Sequence, residues 1–211
     1  MIGLLREELS IAGNLIRENR EELIVICSAV LFLALAHYHS FGEQWSVALL
    51  FFAALPILIV LLLLRRNPLD FGFHLGNWRL WGVYVVITCI VALPILAAFS
   101  RIDSLHTYYL LGDFNIGSYF LKSVVYLTAW EFLFRGYLLF GLKRRLKAAS
   151  IFLQMVPFVL LHLGKPEIET LSTIPMGIYL GYVAYRGNSF WPAVIIHIFI
   201  NVSFRIFTNW L

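Results

Sequence analysis

Residues 45–64 read WSVALLFFAALPILIVLLLL, twenty positions without one ionisable side chain. A helix over that stretch is ~30 Å long at ~1.5 Å per residue, which matches the hydrocarbon core of a bilayer. Six more apolar segments surround it. One precedes it at 23–41, and the others follow at 80–99, 114–142, 149–163, 170–185 and 190–211. The charges fall mostly in short clusters between these runs. Hydrophobic residues make up 61% of the 211-residue chain and charged residues 13%, against roughly 45–50% and about 25% in soluble proteins. No water-soluble fold hides that much apolar surface. The expected fold is all-α: a polytopic membrane helix bundle of about seven transmembrane helices. Segments 149–163 and 170–185 are short, so they either span or form a re-entrant pair. In both cases the chain leaves and returns on one side.

Residues 1–22 mix Arg6, Glu7, Glu8, Arg17, Arg20, Glu21 and Glu22 with Ile2, Leu4, Leu5, Leu15 and Ile16. That pattern predicts an amphipathic helix lying in the membrane interface, not a cleavable leader. The chain then divides into this interfacial helix (1–22), amino-terminal transmembrane helices and loops (23–113), and a carboxyl-terminal core (114–211). Arg65, Arg66 and Arg79 follow the second segment, Lys143, Arg144, Arg145 and Lys147 the fourth, and Arg186 the sixth. The alternate loops hold only Arg101 and Lys165. By the positive-inside rule the amino terminus is expected in the cytoplasm. The net charge of +4 is therefore a loop charge and gives no reason to expect a nucleic-acid partner. Cys27 and Cys89 lie in apolar runs without metal-ligand spacing and read as packed, reduced thiols.

Ionisable side chains inside a bilayer are costly, by ~2.5–3.5 kcal/mol on insertion scales, and each needs a reason. The fourth segment carries Lys122, Glu131 and Arg135; the fifth ends at His162; the seventh holds His197 and Asn201. Lys122 lies near a helix end and is expected to snorkel. Glu131 and Arg135 share a face at i,i+4, as do His197 and Asn201. At ~1.5 Å per residue Glu131 lies ~20 Å below the basic loop, His162 ~18 Å, and His197 and Asn201 ~16 and ~22 Å. Three helices thus present polar groups at one depth. A structural Glu131–Arg135 ion pair accounts for part of this; a shared aqueous cavity accounts for all of it. A carboxylate and a histidine activate water, while a second histidine and an amide stabilise an oxyanion. Two histidines and a carboxylate also suit zinc, but no HExxH is present and Arg135 competes for Glu131. A proton relay is the remaining option.

Residues 130–138 (WEFLFRGYL), 158–162 (FVLLH) and 197–201 (HIFIN) resemble the three ordered motifs, E-E-x-x-x-R, F-x-x-x-H and H-x-x-x-N, of the CAAX protease and bacteriocin-processing (Abi-type) family of intramembrane endopeptidases. The resemblance covers about 114–205. It implies a metal-independent, cofactor-free glutamate mechanism, in which Glu131 and His162 activate water and His197 with Asn201 forms the oxyanion site. Arg135 is then the motif arginine and Phe158 the packing aromatic. It also implies a membrane-associated protein or peptide substrate and a multi-pass location in a prokaryotic plasma membrane. There is one departure: Trp130 stands where the pattern has its first glutamate. Glu131 is then either the base of a reorganised site or only the arginine's partner, and Glu167 or Glu169 is the nearest substitute carboxylate. The alternative is a catalytically impaired member acting as a peptide-binding, immunity or scaffold protein.

Overall fold

The computed structural model describes residues 1–39, 41–112 and 114–210. The chain is 83% helical, with no strand among the described residues. Nine helices can be traced there: α1 (Ile2–Glu18), α2 (Arg20–Tyr38), α3 (Gln44–Leu63), α4 (Trp78–Phe99), α5 (Asp103–Tyr109), α6 (116–146), α7 (Ala149–Leu160), α8 (Glu167–Gly187) and α9 (Trp191–Trp210). Among the described residues, each of the seven expected apolar segments is helical over most of its length. By length and composition α2, α3, α4 and α9 are able to cross a membrane. The 12 residues of α7 reach only ~18 Å, less than a hydrocarbon core.

Asparagines set several starts: Asn67, Asn77 and Asn115 each accept a backbone N–H from their own first turn, which relieves orphan donors. Asn188 closes α8 in a left-handed conformation (φ 52°), as asparagine tolerates.

Polar contacts gather the loops at two ends. At one end Arg144 and Arg66 pair with Glu21 (3.2 and 3.7 Å). Arg145 there donates to the Glu18 carbonyl, and Lys143 donates to the Tyr185 carbonyl and Asn188. At the other end Lys122 pairs with Glu43 at 2.6 Å, Lys165 with Glu169, and Asn209 accepts from the Leu111 N–H. The loops richest in basic residues therefore share one end. Between the ends the outer face is apolar: Val83, Val86, Ile87, Ile90 and Val91 of α4 are all exposed. In water such a surface would be untenable; it suits lipid. Cys27 also lies on the exposed face, where a packed thiol was expected.

The centre of the bundle is α6. It is α-helical over Ile116–Glu131, winds as a π-helix over Phe132–Leu138, and finishes as α-helix over Leu139–Leu146. Every residue from Phe132 to Leu138 is buried, so this part of α6 is enclosed on all sides. The connector between α3 and α4 seals the basic end. Gly72 (φ 86°) accepts the Phe190 N–H, and Asn77 donates to the Gly187 carbonyl. A Cβ on Gly72 would meet the Phe140 ring at 2.5 Å and the Phe190 backbone at 3.1 Å, so glycine is required there.

Candidate active site

Glu131 ends the α-helical part of α6, and Arg135 follows one turn later inside the π-helical stretch. Both are 0% exposed. Arg135 Nη1 donates to Glu131 Oε1 at 3.0 Å. His197 of α9 brings Nδ1 to the same oxygen at 2.6 Å. The second oxygen, Oε2, has no protein partner, nor do Arg135 Nε and Nη2. The guanidinium lies 4.1 Å from the centre of the Phe158 ring, a cation–π contact strengthened by desolvation.

His162 sits just past the end of α7. Its Nδ1 is 2.7 Å from the Phe158 carbonyl oxygen, so Nδ1 carries the donated proton and Nε2 is left as the acceptor. The Trp130 ring stands edge-on to it, with centroids 6.0 Å apart. Asn201 lies one turn beyond His197. Tyr119 and Ser123 of α6 donate to its Oδ1 at 2.6 and 3.4 Å, which leaves the amide Nδ2 as a donor. Arg205 holds Tyr119 from the other side through a 3.2 Å bond.

Three cavities meet at these groups, with volumes of about 150, 440 and 400 Å³. His162 and His197 line all three, and Asn201 lines two. The first opens towards Tyr109, Lys165 and Glu169; the second runs along apolar residues of α4 and α8; the third faces α2, α3 and Trp130. Glu131 and Arg135 line none of them. The four side chains expected to converge do so, but Glu131 stands behind His197 and touches the cavity only through it. Among the described residues, no three His, Cys, Asp or Glu side chains are grouped to hold a metal ion.

Tyr119, Ser123 and Arg205 were not anticipated. The available signal was Arg205, which continues the four-residue spacing of His197 and Asn201.

An all-helical membrane bundle with histidines and an amide lining cavities beside a buried ion pair defines a class of polytopic membrane protein with a polar site. Residues 113–203 match a family model described as type II CAAX prenyl endopeptidase Rce1-like. That match bears out the resemblance carried by the three motifs, all of which lie inside it. The family is one of membrane proteases. No curated protein and no solved structure matches the chain.

Proposed function

We propose that the protein is an intramembrane endopeptidase that hydrolyses a peptide bond of a membrane-associated protein or peptide. The observation that carries this reading is the convergence of His162 Nε2, His197 and the Asn201 amide on connected cavities inside the bundle. His162, its tautomer fixed by the Phe158 carbonyl, takes a proton from water as the water oxygen attacks the scissile carbonyl carbon. The carbonyl oxygen becomes an oxyanion facing the Asn201 Nδ2 donor and the His197 ring. The C–N bond then breaks, with the His162 proton passing to the departing amine. The products are an amine and a carboxylic acid, which then releases the water's second proton to solvent, and no metal or cofactor enters the sequence. Glu131 is a positioning residue, orienting His197 as a carboxylate orients a ligand-free imidazole elsewhere.

The basic loops would face the cytoplasm of a prokaryotic cell, amino terminus inside, which places the 150 Å³ cavity in the outer half of the plasma membrane.

The test is cleavage of dye-labelled transmembrane peptides by the purified, reconstituted protein. His162→Ala is expected to lower kcat by ~10²–10⁴ and Asn201→Ala by ~10²–10³. Turnover equal to native in both variants would remove the hydrolase reading.

One observation favours a second reading. Trp130 is a pure donor, its indole N–H is buried without a partner, and its ring stands against His162. A binding or scaffold role predicts a native protein that cleaves nothing and gains activity with Trp130→Glu.

A further inference from the structure

We propose that Glu169, reaching in from the first turn of α8, is the carboxylate that works with His162 in place of the glutamate missing at position 130. The inference rests on the hydrolytic reading above and extends it to a residue outside all three motifs.

Four observations converge on Glu169. It lines two of the cavities that His162 and His197 line. Its Oε1 is saturated, accepting from the Tyr109 hydroxyl at 2.6 Å and from Lys165 Nζ at 2.8 Å. Its Oε2 is buried and has no partner. The turn that carries it is tied to His162, because Thr170 Oγ1 donates to the His162 carbonyl at 2.7 Å and the Lys165 N–H donates there at 3.2 Å.

An ion pair that only stapled Lys165 to α8 would have no use for a buried, unmet second oxygen, which costs ~1–3 kcal/mol or more for a charged acceptor. A carboxylate clamped through one oxygen and unpartnered through the other is instead the arrangement of a fixed hydrogen-bond acceptor. Burial, and then the Glu169 charge beside it, raise the Tyr109 phenol above its ordinary range. Tyr109 therefore stays a hydrogen-bond donor to Oε1 and does not compete for a proton. Trp130, in contrast, cannot accept one, and it lines only the third cavity. The carboxylate function has moved from α6 to α8, on a different wall of the site.

In this arrangement His162 Nε2 and Glu169 Oε2 hold one water. His162 Nε2 takes a proton as the water oxygen bonds to the carbonyl carbon, Oε2 accepts the water's other O–H and fixes its direction of attack, and the π electrons move to the oxyanion beside Asn201. When the C–N bond breaks, the amine nitrogen receives that proton. The acid product releases the second water proton to solvent.

The experiment is kcat and KM against pH for the reconstituted protein with the same dye-labelled transmembrane peptides, with thermal melting measured in parallel. Glu169→Gln, nearly isosteric, is expected to lower kcat at least ~100-fold and to leave KM and the melting temperature close to native. Glu169→Asp is expected to recover part of the rate, and Glu167→Gln, on an exposed position, to match native. Glu169→Gln retaining kcat while His162→Ala is inactive would overturn the assignment and leave the hydrolase reading standing. Lys165→Met costing the same kcat and the same melting temperature as Glu169→Gln would reduce Glu169 to an ion-pair partner. A native protein that cleaves none of the peptides would end both readings.

Discussion

Arg135 is held in the bundle by one hydrogen bond to Glu131 and by the Phe158 ring, with two of its nitrogens unpartnered. Its energetics are those of a buried pair. Removing one member strands the other charge, whereas removing both is far cheaper. Arg135→Met is therefore expected to cost ~3–5 kcal/mol. Glu131→Gln combined with Arg135→Met is expected to return much of the lost melting temperature while leaving His197 unoriented and the protein inactive. A double variant no more stable than Arg135→Met would show that Glu131 is not compensated by Arg135 at all. The i,i+4 spacing of Glu131–Arg135 and of His197–Asn201 is legible in the chain, and both pairs share their faces as read. What spacing does not carry is which side of α6 faces the cavity. That depends on helix rotation, and a π turn alters rotation by up to a residue, ~100°. Glu131 lies behind His197, and the carboxylate that does line the cavities is Glu169, from a helix whose motif contribution is nil.

Among the helices, α7 and α8 have the closest approach that matters to the site. Gln154 Nε2 donates across to the Gly177 carbonyl at 2.8 Å. A Cβ on Gly177 would come within 2.9 Å of Met155 and 3.0 Å of Phe158, and one on Gly181 within 2.5 Å of Gln154. Small residues four apart let membrane helices touch backbone to backbone. Here they also set where Phe158 sits, and through it Arg135 and His162. Gly177→Val is expected to displace Phe158, to lower the melting temperature by several degrees, and to reduce kcat at least ~10-fold, in line with the cost of ~1 Å misplacement at a catalytic group. Gly13→Ala in α1, with nothing within 4 Å, is the matched control and is expected to behave as native. Native activity in Gly177→Val would show that α7 tolerates movement and that Phe158 does not position the site. Segment identity was readable because uncharged runs of the right length leave few alternatives. The start of α8 was less so: Glu167 and Glu169 look like loop residues, yet acidic side chains are favoured in a helix's first turn, and the helix begins at Glu167. The short α5 offered no apolar run to read.

The molecule has a polarity from which a side of substrate entry is predicted. Arg66, Lys143, Arg144 and Arg145 share contacts at one end, while the cavity lined by Tyr109, Lys165 and Glu169 opens at the other. Translocation retains loops rich in Lys and Arg on the cytoplasmic side, and the bias is strongest in short loops like these. Tyr109, Lys165 and Glu169 should therefore be reachable from outside the cell, so a substrate would present its cleavage site from the outer half of the bilayer. Single cysteines in a Cys27→Ala, Cys89→Ala background test this directly with a membrane-impermeant maleimide. Ser104→Cys on α5 and Ala148→Cys between α6 and α7 are both exposed positions at opposite ends. Labelling of Ser104→Cys in intact cells, with Ala148→Cys labelled only after lysis, is the expected pattern. The reverse would place the cavity mouth in the cytoplasm, and the substrate would then be a protein presented from the inner face.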